Sequence, residues 1–122
     1  MKKILKLSKA LLSQLGINVA TRNVYMSKGL ITHLKKRNHH NVLKYVDYVS
    51  SFIEDPDYIG NNPKVPNSFE CIKILDENIL VAVKLDKKGD YFYIASMYEI
   101  TDAKLHRNIK SGRLKKFDNR KF

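Results

Sequence analysis

Three runs in the middle of the chain decide its fold: Ser68-Phe69-Glu70-Cys71-Ile72-Lys73-Ile74-Leu75, Ile79-Leu80-Val81-Ala82-Val83-Lys84-Leu85-Asp86 and Tyr91-Phe92-Tyr93-Ile94-Ala95-Ser96-Met97-Tyr98. β-Branched and aromatic residues dominate each run, and they suit a pleated, half-buried surface. Between the runs stand only Asp76-Glu77-Asn78 and Lys87-Lys88-Gly89-Asp90. Connections this short turn the chain straight back, so the three runs read as an antiparallel meander.

Upstream of the meander the apolar period becomes helical. Ser27 suits an N-cap, with Leu30, Ile31 and Leu34 as the buried stripe behind it. A basic turn, Lys35-Lys36-Arg37-Asn38-His39-His40-Asn41, ends that helix. The next runs from Val42 to Ile53, where Val42, Tyr45, Val46, Val49, Phe52 and Ile53 follow the i, i+3, i+4, i+7 pattern. Asp55-Pro56-Asp57 stops it, and the loop to Ser68 carries all three prolines and Gly60. Nearer the start, Ile4, Leu5, Leu11, Leu12 and Leu15 predict one amphipathic helix from Lys3 to Leu15, closed by Gly16. Residues 1–22 thus read as helix and linker, and 117–122 as a basic tail. After the meander, Leu105 and Ile109 suggest a helical turn that Ser111-Gly112 ends, and a short fourth strand fits near the end. The expected architecture is α+β, helices first and then an antiparallel meander that they cover on one face.

A chain of 122 residues makes one domain with a real core. The single cysteine, Cys71, lies in an apolar run and reads as a small buried hydrophobe. No apolar run reaches the roughly 18 residues of a membrane span. Met1-Lys2-Lys3 opens like a signal peptide, but Lys6, Ser8, Lys9, Ser13 and Gln14 interrupt the apolar region. The expected place of action is therefore the cytoplasm, with no membrane partner. Charge is the informative bulk property, a formal +11 from 23 Lys+Arg against 12 Asp+Glu. Residues 1–41 hold no acid at all, 42–103 are net negative, and 104–122 are basic again. Such polarity attracts a polyanion to one side of a molecule, and the basic turn with Lys36 and Arg37 suits a phosphate backbone.

Three of the four histidines, His33, His39 and His40, fall within eight residues. His33 lies three positions after Leu30, at the boundary between the buried stripe and a cleft. Two neighbouring imidazoles suit RNA cleavage: one removes the 2′-hydroxyl proton, the other protonates the departing 5′-oxygen. Metal binding is the rival use, but no HExxH pattern, cysteine pair or carboxylate at ligand spacing accompanies them, and no cofactor is expected. Alternation along the third run puts Ser96 and Tyr98 on one face, with Thr101 just beyond, where hydroxyls can meet phosphate oxygens. Lys84 shares a side with Leu80 and Ala82 and can offer charge to a transition state. Arg113 can make a bidentate phosphate contact.

Several segments, in this order, resemble a known family: Thr32-His33-Leu34-Lys35-Lys36-Arg37-Asn38-His39, Asp55-Pro56-Asp57-Tyr58-Ile59-Gly60, Ile79 to Asp86, Tyr93-Ile94-Ala95-Ser96-Met97-Tyr98-Glu99-Ile100-Thr101, and Ser111-Gly112-Arg113-Leu114. They are similar to the phage-associated branch of the barnase–EndoU–colicin–RelE (BECR) nucleases, found in phage proteins and bacterial polymorphic toxins. The resemblance covers residues 23–116. It implies N-terminal helices packed on one face of a four-stranded antiparallel sheet, and a metal-independent endoribonuclease, a toxin or phage effector, that leaves 2′,3′-cyclic phosphate ends. By match to the family pattern His33 and either His39 or His40 become the acid–base pair, with Ser96, Thr101 and Arg113 at the phosphate; the charge and strand pattern adds Lys84, Tyr98, Lys36, Arg37 and His40 toward substrate. RNA is the implied partner, together with an acidic immunity or antitoxin protein. The other readings of the same charge pattern are a non-catalytic nucleic-acid-binding module and an interaction domain of a phage particle or larger toxin.

Overall fold

The computed structural model describes residues 1–36 and 40–118. The three extended runs are strands β4 (Phe69–Ile74), β5 (Asn78–Leu85) and β6 (Phe92–Ile100), paired as an antiparallel meander. Around them the structure corrects the expected architecture. Among the described residues the sheet has seven strands and is mixed, not four and antiparallel. Strand β1 (Lys2–Lys6) pairs with β2 (Asn23–Met26), and β2 joins the edge of β6 in parallel through Val24 and Tyr25. At the other edge, β3 (Tyr58–Asn61) pairs with β4, and β7 (Lys115–Lys116) with β3. The order is β1-β2-β6-β5-β4-β3-β7.

The segment expected as one helix from Lys3 to Leu15 is thus a strand followed by a short helix, α1 (Lys9–Leu15). Ser8 makes the break: its Oγ accepts the Leu11 N–H at 3.0 Å, an N-cap that restarts the chain as helix. Gly16, at φ 67°, closes α1 in the left-handed region. Helix α2 (Gly29–Lys36) follows β2. The third expected helix is a 3₁₀ segment (His40–Tyr48) running into α3 (Val49–Glu54), and α4 (Asp102–Lys110) follows β6.

Period-2 alternation gives the sheet two apolar faces. One carries Phe69, Cys71, Ile79, Val81, Val83, Phe92, Ile94 and Met97 into the main core, against Leu11, Leu30, Leu34, Val46, Phe52 and Ile53 from the helices. Phe69 and Phe92 meet edge to face at 5.8 Å in its centre. Burying each such ring contributes about 1.5–3 kcal/mol. Cys71 belongs here, and burial pushes its thiol pKa far up, so it packs as a hydrophobe. The second face holds a smaller cluster, Ile72, Leu80, Ile100, Leu105 and Leu114, where α4 covers one end of the sheet. Its other end carries half-buried polar and aromatic residues instead. Among the described residues no helix is long and apolar enough to cross a membrane.

Candidate active site

Strand β6 contains a bulge, and the bulge shapes the open end of this second face. The register runs Ala82 to Ser96, then Val83 to Ile94, so Ala95 is the extra residue. A bulge shifts side-chain parity along its strand. Tyr93, opposite Lys84, and Ser96, opposite Ala82, therefore share one face although they lie three residues apart. Helix α2 lies beside β6 with Leu30 and Leu34 buried, which leaves His33 half-buried between them. His33, Lys84, Tyr93, Ala95, Ser27 and Gly29 line one cleft of ≈ 400 Å³.

One cross-strand row further along, Gly60, Glu70, Ala82 and Ser96 stand in register across β3, β4, β5 and β6. Glu70 is a buried carboxylate, held by Arg113, whose Nε and Nη2 donate to its Oε1 at 3.3 and 3.1 Å. At a strand spacing of ~4.8 Å this puts Glu70 about 10 Å from Ser96 across the sheet. Gly60 fixes where Arg113 sits, because a Cβ there would meet the Arg113 carbonyl oxygen at 2.2 Å. Gly60→Ala is accordingly expected to cost about 1–3 kcal/mol through overpacking. Thermal melting checks this, and an unchanged midpoint would mean that the Arg113 segment is free to shift. The next row carries Tyr98 opposite Leu80. Burial raises the pKa of its hydroxyl, Glu70 raises it further, and Arg113 opposes both. Lys104 Nζ lies 5.9 Å from the centroid of its ring.

The structure thus brings His33 and Lys84 into one cleft and places Ser96, Tyr98 and Arg113 on the adjoining face. Thr101 is not part of this group. Its Oγ1 accepts the Lys104 N–H at 3.1 Å as the N-cap of α4. It also follows the Asn78–Ile100 pair, six residues along β5 from Lys84, which is about 20 Å away. Lys36 ends α2 and is exposed, and His40 opens the 3₁₀ segment. Arg37 and His39 lie outside the described residues. Two members of the site were not foreseen. Glu70 is the lone acid in an apolar strand, a pattern that itself signals a buried partner, whereas Tyr93 is brought round only by the bulge. Among the described residues no three His, Cys, Asp or Glu form a group able to hold a metal ion.

A protein-family model described as phage-Barnase-EndoU-ColicinE5/D-RelE like nuclease3 matches residues 2–107. The match starts in β1, takes in His33, Lys84, Tyr93 and Ser96, and stops within α4 before Arg113. No curated protein and no solved structure matches the chain. Because the family match spans most of the sequence and contains the cleft, this protein belongs to the phage-Barnase-EndoU-ColicinE5/D-RelE like nucleases, enzymes that act on nucleic acid.

Proposed function

We propose that the protein is a metal-independent endoribonuclease, a phage effector or toxin, that cleaves by attack of the 2′-hydroxyl. The observation that carries this is the shared cleft of His33 and Lys84, an imidazole and a cation at one opening beside a hydroxyl-bearing strand. In this reading His33 and a histidine of the following turn, His39 or His40, form the acid–base pair. One takes the 2′-hydroxyl proton while the 2′-oxygen bonds to phosphorus; the other protonates the 5′-oxygen as its bond to phosphorus breaks. The product is a 2′,3′-cyclic phosphate and a free 5′-hydroxyl. Lys84 and Ser96 meet the non-bridging oxygens where charge builds up. Arg113 is clamped by Glu70 through Nε and Nη2, and a guanidinium has further N–H donors to offer a phosphate. Tyr98, Lys36 and Arg37 contact the RNA on either side.

The +11 charge also suits an acidic protein inhibitor, steered onto the same face. Incubating purified protein with RNA and with DNA of the same sequence in EDTA tests the proposal. RNA should be shortened and DNA left whole, because DNA lacks the attacking group. Cutting of DNA, or activity that chelator abolishes, would overturn it.

A further inference from the structure

The open face carries a line of tyrosines that the cleavage chemistry does not use. Tyr25 on β2 is in register with Tyr93 on β6, and Tyr91 precedes Tyr93 by two residues. Tyr25 and Tyr91 meet edge to face with centroids 5.5 Å apart, and Tyr91 and Tyr93 at 6.4 Å. All three are half-buried, so each keeps part of its surface in solvent. They stand on the side of the sheet opposite Val24, Phe92 and Ile94, which belong to the main core.

Cavities lie at both ends of this line. Tyr93 lines the His33–Lys84 cleft, while Lys6, Arg22, Asn23, Gly89 and Asp90 line a second cavity of ≈ 530 Å³. Strand β2 connects them, since Asn23 borders the second cavity and Ser27, just past the strand, borders the first. That interval is about 13 Å at ~3.3 Å per residue. Lys3 pairs with Tyr25 and Lys6 with Asn23 across β1, and both lysines are exposed. Directly paired residues share a sheet face, so cations flank the rings on this side. On the other side burial raises the pKa of the Tyr91 hydroxyl, and the neighbouring Asp86 and Asp90 carboxylates raise it further. A phosphate backbone is thereby favoured along β1 and β2.

We infer that Tyr25, Tyr91 and Tyr93 form a stacking platform for unpaired bases of a single-stranded nucleic acid, with Lys3, Lys6 and Arg22 on its phosphates, leading the strand into the His33–Lys84 cleft. The inference rests on the proposed cleavage site for where the strand leads. Stacking on aromatic rings beside a basic track is how single strands are held without sequence preference. A duplex, whose bases already stack on each other, gains nothing from the rings. Cross-strand aromatic pairs also stabilise sheets, but that role needs neither flanking cations nor a cavity at each end.

The test is binding of the full chain to a labelled single-stranded DNA oligonucleotide and to the matching duplex. DNA lacks the 2′-hydroxyl and is no substrate for the proposed chemistry. Tyr25→Leu and Tyr91→Leu are expected to weaken single-strand binding roughly 5- to 100-fold and to spare duplex binding, while Tyr25→Phe and Tyr91→Phe retain both. Single-strand binding unchanged in the Leu variants, or equal losses for single strand and duplex, would overturn the platform. The chain has seven tyrosines and no tryptophan, so tyrosine emission decides the matter if the Leu variants fail to fold. Quenching of the parent protein by single strand but not duplex supports the platform, and no quenching overturns it. Intact RNA alongside tyrosine-dependent binding would sink the cleavage reading and leave the platform standing. RNA cut in chelator by a protein whose Leu variants bind normally would do the reverse.

Discussion

His33→Ala is expected to slow RNA cleavage by about 10²–10⁴-fold, the usual size of one acid–base contribution. RNA affinity should barely change, since phosphate contacts come mainly from Lys and Arg. His33 is half-buried on α2 while Leu30 and Leu34 anchor the helix in the core, so removing the imidazole leaves the packing intact. The pH–rate profile of the parent should be bell-shaped, the signature of one acid and one base. One limb should disappear in the variant. Single-turnover cleavage together with a binding titration separates the two effects. Full activity in a folded His33→Ala protein would move the chemistry elsewhere on the face.

Arg113→Ala is expected to act twice. In the proposed reaction it removes a donor from the phosphate, and in the fold it strands Glu70, which is buried at 7% exposure. The Arg113 side chain is 38% exposed, so water reaches the pair and the stability loss falls at about 1–3 kcal/mol, short of a fully buried ion pair. Cleavage should fall by up to about 10²-fold, the low end for losing one transition-state donor, because Lys84 shares the charge. The double variant Glu70→Gln/Arg113→Ala separates these effects, since a neutral amide tolerates the missing partner. Stability should return and activity should not. Recovery of both would reduce Arg113 to a structural clamp.

The meander was legible because β4, β5 and β6 are long enough for composition and turn spacing to act together. Strands β2 and β3 were not. Each has four residues, too few to establish a period. β1 was absorbed into a helix because Ile4 and Leu5 fall at helical spacing from Leu11 and Leu12, and only the Ser8 cap separates the two states. The parallel β2–β6 pairing depends on contacts between residues nearly 70 positions apart, which no local pattern encodes. His33 and Lys84 were readable as candidate residues from their types and their neighbours. Their shared cleft was not, because it needs α2 laid against β6. Thr101 carries two local readings: a hydroxyl at a strand end suits a phosphate ligand, while Thr101-Asp102 is equally the start of a capped helix, and its Oγ1 accepts the Lys104 N–H. Tyr93 was missed because simple alternation sets it against Ser96, and the extra residue at Ala95 reverses that parity.

In the proposed reaction the 2′-hydroxyl is the nucleophile in the His33–Lys84 cleft. The most direct measurement is end-group analysis of fragments cut from an RNA oligonucleotide in EDTA, with a 2′-deoxy substitution at one cleavage position. The upstream fragment is expected to carry a 2′,3′-cyclic phosphate and the downstream fragment a free 5′-hydroxyl, with cutting lost only at the substituted position. Fragments ending in 3′-hydroxyl and 5′-phosphate, or cutting that persists at the deoxy position, would contradict it.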